Sequence, residues 1–280
     1  MENKKIPTGT DGFAGLKSLM ERLRGGGGGG GGSNGCPWDM EQTIESLAPF
    51  IIEEAYEVVS AIDSGVAEDI KEELGDLLFQ VIFVSRIAEE EGKFTVEDVI
   101  KTLIEKMVRR HPHVFGDKFA ETPEEVLVHW AEVKKAEKKG GSALSGVPEA
   151  MPALLRAHKI SKKAARSGFD WKHIDGVLEK VREELSEFSE AIQSKDPEKV
   201  EEELGDLLFT IVNAARFLEV SPEEALRKTI GKFITRFHHI ESSLSEAGSA
   251  LSTTPMEKLE ALWEEAKRKG KKIIEQKQKG

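Results

Sequence analysis

The sequence predicts an all-α protein made of two helical bundles in tandem, and three observations lead there. Apolar residues recur at helical spacing almost from end to end, and no convincing run of alternating apolar residues argues for a sheet. An acidic pattern occurs twice: Glu53-Glu54 with Glu57, then Glu72-Glu73-Leu74-Gly75-Asp76, returns as Glu183-Glu184 with Glu187, then Glu202-Glu203-Leu204-Gly205-Asp206. Positions 54 and 73 come back as 184 and 203, a constant offset of 130 residues. Between the copies, Gly140-Gly141-Ser142 to Gly146-Val147-Pro148 reads as a linker. The expected domains are residues 10–139 and 149–280, joined by 140–148.

The elements follow in order from periodicity and end signals. Phe13 to Leu23 reads as a short amphipathic helix, and Met40 to Asp63, Glu68 to Glu91, Thr95 to Arg110 and Pro123 to Lys139 as longer ones. The second half repeats the series with Met151 to Ser167, Gly176 to Ser194, Pro197 to Leu218, Ser221 to Ser243 and Thr254 to Lys279. Thr95 with Asp98, Thr122 with Glu125 and Ser221 with Glu224 have the spacing of capping boxes. The eight glycines Gly25–Gly32 lack the strand context of a phosphate-binding loop. They read as a flexible insertion, natural or artificial, ahead of Cys36-Pro37-Trp38-Asp39.

Composition narrows the class of protein. Of the 280 residues, 32% are charged and 39% hydrophobic, with no apolar run long enough to span a bilayer, so no membrane partner is expected. A single cysteine, Cys36, excludes an internal disulfide, and Met1 to Thr8 lacks the apolar core of a signal peptide. Both point to the cytoplasm. The net charge of −11 argues against general nucleic-acid binding, which requires a basic footprint. The basic stretch from Arg156 to Arg166 reads as an exposed helix face.

The acidic repeat carries the chemistry. Residues three apart share a helix face, so Glu54 with Glu57, Glu73 with Asp76, Glu184 with Glu187 and Glu203 with Asp206 each present paired carboxylates in one direction. Two such helices packed together concentrate four carboxylates. Unit charges about 5 Å apart repel by roughly 3 kcal/mol per pair at an effective dielectric near 20, so the cluster needs a cation. An all-oxygen donor set without His or Cys suits Mg²⁺, with Mn²⁺ as a substitute, and not zinc. The apolar runs Leu77 to Val84 and Leu207 to Val212 predict that these helices are buried on nearly every face. Gly75 and Gly205 predict close approach by another helix or a ligand.

Basic pairs at i, i+4 follow each acidic motif, Lys106 with Arg110 and Lys232 with Arg236, suited to the outer phosphates of a nucleotide. Each half then places a tryptophan on a charged helix, Trp130 and Trp263, able to stack on a base without choosing among bases. Lys199 precedes Glu203 by four residues where the first half has Asp69, so the halves are chemically unequal.

With these residues assembled, the chain resembles the MazG family of nucleoside triphosphate pyrophosphohydrolases, within the all-α NTP pyrophosphatase superfamily. The likeness runs from Leu16 to about Lys269. It rests on E-E-x-x-E followed by E-x-x-D in both halves, on Gly35-Cys36-Pro37-Trp38-Asp39, on Arg109-Arg110-His111-Pro112-His113-Val114-Phe115-Gly116 and on Gly168-Phe169-Asp170-Trp171. It implies a helical homodimer of tandem domains that hydrolyses nucleoside triphosphates to monophosphate and pyrophosphate with Mg²⁺. By position it implies Glu54, Glu57, Glu73 and Asp76 as metal ligands in one domain, and Glu184, Glu187, Glu203 and Asp206 in the other. Lys199, Lys232, Arg236 and Trp263 match positions that contact nucleotide in the second domain. The glycine run and Asp69 depart from the pattern, the latter counting against full activity of the first domain.

Hydrolysis then becomes a matter of charge management, with metal between the carboxylates and the triphosphate. A carboxylate outside the metal shell serves as the base toward water, with Glu53 or Glu72 and Glu183 or Glu202 as equivalent candidates. The alternative class is a nucleotide-binding regulatory or scaffold protein with one or both sites degenerate, and product analysis separates the two. A di-iron bundle would require Glu-x-x-His motifs, and none occurs at these sites.

Overall fold

The computed structural model describes residues 12–26, 35–137 and 142–277. Among these every regular element is helical, in two compact units, Met1–Lys139 and Gly140–Gly280. Only Gly25 and Gly26 of the glycine run are among the described residues, and Gly140-Gly141 of the linker lie outside them.

The first unit comprises α1 (Gly12–Leu23), α2 (Pro37–Glu41), α3 (Ile44–Ser64), α4 (Ala67–Glu90), α5 (Val96–Arg110), α6 (Pro112–Phe115) and α7 (Pro123–Glu137). The expected helix from Met40 is divided. Gln42 leaves helical geometry, and Thr43 starts α3 with a capping box in which its side chain accepts from Ser46 N–H and Ser46 Oγ accepts in return. The sequence signal for this break was a Ser at the third position, where the usual residue is Glu or Gln. Thr95 with Asp98 and Thr122 with Glu125 form the reciprocal bonds their spacing predicts.

A two-residue turn at Gly65-Val66 folds α4 back along α3, as short connections require. Gly65 adopts the left-handed conformation, φ 72°. Between the helices lies the core of Met20, Leu47, Ile82, Phe83, Ile87 and Val96, with Phe50 and Phe79 packed against it. Each large apolar side chain buried this way contributes about 1.5–3 kcal/mol. Arg24 ties the end of α1 to α2 and α4, donating to the Asp39 and Gln42 carbonyls and pairing with Glu90 at 2.7 Å. Cys36 N–H donates to the Leu23 carbonyl at 2.7 Å, and a Cβ on Gly35 would stand 2.6 Å from Gly25 N.

The second unit comprises α8 (Ala153–Arg166), α9 (Ile174–Ser194), α10 (Pro197–Phe217), α11 (Pro222–Glu246), a 3₁₀ turn (Leu251–Thr253) and α12 (Met256–Lys277). Ser221 accepts from Glu224 N–H, as expected. The pair α9–α10 reproduces α3–α4, with Lys195 in the left-handed conformation where the first unit has Gly65. Val177, Ala191, Val212, Ile240 and Leu244 are buried, and Asp170 receives both Nη groups of Arg216.

Two expectations are corrected. Neither α4 nor α10 is buried all round: Ile82, Phe83 and Val212 face inward, whereas Leu74, Leu78 and Val81, and Leu204, Leu208 and Ile211, are exposed. A helix in a small bundle covers one stripe only, and these sequences carry a second. Likewise a Cβ at Gly75 or Gly205 would meet open space, so neither glycine serves a close approach within its unit. No described helix is long and apolar enough to cross a membrane.

Candidate functional site

In the first unit α3 contributes Glu54 and Glu57, one turn apart, and α4 contributes Glu73. A ligand oxygen from each lies within 4.8 Å of the others. Burial is the main cause that pushes the Glu54 carboxyl above the usual carboxylate range, with the charges of Asp76 and Glu57 adding to it. Glu73 is pushed up in the same way, by burial and then by Asp76, Glu72, Glu54 and Asp69. Asp76 stays exposed outside the group of three, one turn beyond Glu73. The Gln80 amide, buried deeper on the same face of α4, donates to Glu54 Oε1 at 3.3 Å, while its own Oε1 has no hydrogen-bond partner among the described residues.

In the second unit α9 contributes Glu184 and Glu187, and α10 contributes Glu203, again within 4.8 Å of one another. Asp206 remains exposed outside the group. Glu184 is buried, and Lys180, one turn earlier, places Nζ 2.9 Å from Glu184 and 2.8 Å from Glu183. Those two hydrogen bonds hold the Lys180 ammonium well above the usual lysine range. Glu187 is pushed up, chiefly by burial, against the opposing pull of Lys180. The position equivalent to Lys180 in the first unit is Phe50, which packs edge-on against Trp38 with ring centroids 5.6 Å apart.

The same turns of helix that group the carboxylates leave Glu53, Glu72 and Glu202 exposed. Lys106 is half-buried, whereas Lys199 and Lys232 are exposed. Arg110 is drawn to Glu137 on α7 and pairs with it at 2.6 Å. Arg236 instead lies over Trp263, 5.3 Å from the ring centroid, and Phe233 flanks the same ring at 5.1 Å. Trp130 is half-buried, edge-on to His111 at 5.3 Å.

The donor set fits a hard divalent cation. Three carboxylates from two helices converge without histidine or sulfur, and among the described residues no lysine or arginine pairs with the group in the first unit. Gln80, Lys180 and Glu137 escaped sequence reasoning. The signal for Lys180 was its place four residues before Glu184, and for Gln80 its isolation in an apolar run.

The profile described as "MazG nucleotide pyrophosphohydrolase domain" matches residues 42–115 and again 173–241. The chain is 49% identical over 257 residues to a protein of Thermotoga maritima named nucleoside triphosphate pyrophosphohydrolase/pyrophosphatase MazG, covering 91% of this chain and 95% of that one. It is 44% identical over 258 residues to the nucleoside triphosphate pyrophosphohydrolase of Escherichia coli K12, covering 90% and 96%. A solved structure, that of a mazG-related protein from Thermotoga maritima, aligns with TM-score 0.36 and 28% identity over 43% of this chain and 96% of the other. The matches span both helical units and the carboxylates on α3–α4 and α9–α10, so this chain belongs to the MazG family and carries its domain twice.

Proposed function

We propose that this protein hydrolyses nucleoside triphosphates to nucleoside monophosphate and pyrophosphate, with Mg²⁺ as cofactor and Mn²⁺ as a substitute. The observation that carries this reading is the convergence of three carboxylates from two helices, repeated in both units of a MazG-family chain. The names of the relatives support the same reaction. Glu54, Glu57 and Glu73 would hold the metal in the first unit and Glu184, Glu187 and Glu203 in the second, with Asp76 and Asp206 one turn beyond as further ligands. When bound, the ion supplies the positive charge and Lewis acidity that let a carboxylate-lined site accept a triphosphate.

The chain's own groups do the rest. Lys106 and Arg110, and Lys199, Lys232 and Arg236, are assigned to phosphate oxygens, where guanidinium and ammonium groups donate charge-assisted hydrogen bonds. Trp130 and Trp263 offer aromatic faces to the base, and stacking tolerates every base, so specificity is broad and suits housekeeping of the nucleotide pool. Glu53 or Glu72, and Glu183 or Glu202, orient and deprotonate the attacking water. Of these, Glu183 is the one in contact with Lys180.

The exposed apolar side chains Leu74, Leu78 and Val81, and Leu204, Leu208 and Ile211, support assembly as a homodimer, which light scattering checks. We assign the protein to the cytoplasm, which cell fractionation checks. The decisive test of the activity is product analysis with each nucleoside triphosphate, with and without Mg²⁺. Monophosphate and pyrophosphate are expected, only with metal; orthophosphate with diphosphate, or no turnover, would overturn the proposal.

A further inference from the structure

Glu137, at the end of α7, has both carboxylate oxygens engaged by arginine. Arg109 donates through Nε at 2.8 Å and brings Nη2 to 2.7 Å from the same Oε1. Arg110 donates through Nη2 to Oε2 at 2.6 Å and through Nε to Oε1 at 3.4 Å. Those hydrogen bonds, from Arg110 first and then Arg109, lower the Glu137 carboxyl to about 2. Two guanidinium forks closing on one oxyanion is the arrangement by which arginines grip a phosphoryl group. Here the anion is the protein's own.

Among the described residues the second unit shows no counterpart. Glu137 stands seven residues after Trp130, on the same helix face, and seven residues after Trp263 comes Gly270, around which a Cβ would meet open space. Arg236, stacked on Trp263, makes no ion pair among the described residues. The units therefore differ at both ends of this contact, with Thr235 where the first unit has Arg109 and Gly270 where it has Glu137.

We infer that Arg109 and Arg110 form a phosphate-binding site that Glu137 keeps filled, so that the first unit takes a triphosphate chain only by displacing its own carboxylate. The inference rests on the reading of both units as nucleoside triphosphate sites. Ion pairs this accessible to water are weak, so the carboxylate competes with the triphosphate and does not bar it. The first unit accordingly binds at higher nucleotide concentration than the second.

The test is calorimetric titration of the full chain with α,β-methylene-ATP and Mg²⁺, with the second unit silenced by Lys232→Ala and Arg236→Ala. Glu137→Gln should tighten binding about tenfold, and Glu137→Asp, which keeps the charge, should return it toward the unsubstituted value. The gain from Glu137→Gln should vanish when Arg109 and Arg110 are both Gln. Inorganic triphosphate should reproduce the pattern without a base. Unchanged or weaker binding in Glu137→Gln, with normal binding by an intact second unit, overturns this inference alone. Failure of both units to bind the analogue overturns the proposed activity and this site with it.

Discussion

At the scale of single residues the site is a set of like charges held close together, and its titration is predictable in sign. Glu54, Glu73 and Glu187 have folded-state values raised above the ordinary 4.5, chiefly by burial. Their ionised forms therefore destabilise the fold, an effect fully present above the raised values and relieved as pH falls toward 4.5. The carboxylates whose values are lowered, Glu137 among them, act below 4.5, where stability is lost as pH falls through the folded value. His158, held down by burial and the charges of Lys162 and Arg216, opposes the relief below its ordinary 6.5. A difference measurement removes that complication. In chelator, Glu73→Gln should melt higher than the unsubstituted chain at pH 7.5, the gap closing as pH approaches 4.5, while the same variant loses Mg²⁺ affinity by tenfold or more in titration. Sequence reasoning found these carboxylates because their spacing sets a helix face. It could not find Gln80 against Glu54, because that contact depends on how α3 and α4 are rotated about each other.

At the scale of elements, periodicity and caps gave nearly all the helices, and the misses have local causes. The break at Gln42-Thr43 and the four-residue α6 after His111 are too short for a period to register. The outward apolar stripe on α4 reads as core in the sequence because apolar residues on both faces look alike there, whichever face finds a partner. The turn between the paired helices offers a clean experiment. Gly65 and Lys195 occupy equivalent positions, both left-handed, at φ 72° and 57°. A side chain there costs about 1 kcal/mol relative to glycine. Lys195→Gly should therefore stabilise the second unit by roughly that amount, read as an increase in denaturant midpoint with no change in slope.

At the scale of the whole molecule, a near-symmetric sequence produces two chemically distinct units. Asp69 lies close enough to add to the raised value of Glu73, and Phe50 leaves the first carboxylate group without the ammonium that Lys180 brings to the second. Misplacing one charge a few Å from a phosphate is worth a few kcal/mol at intermediate dielectric, enough for a tenfold change in rate or more. The second unit should thus carry most of the turnover. Glu203→Gln is expected to remove most of kcat/KM for a nucleoside triphosphate, and Glu73→Gln a minor part, each checked for intact helicity. Equal losses, or the reverse order, would contradict the ranking. The inequality was half legible: Asp69 against Lys199 is visible in the aligned halves, whereas Glu137 against Gly270 gains meaning only once Glu137 is seen between two arginines.

The stitching beside α1 has a practical consequence. Because Cys36 N–H donates to the Leu23 carbonyl and Gly35 abuts Gly25, the described residues on either side of positions 27–34 are held next to each other. Lengthening a closed excursion costs only about 0.6 kcal/mol per doubling. Positions 27–34 are therefore a natural splice point, where an affinity handle or fluorescent domain can be grafted while both carboxylate groups stay as they are.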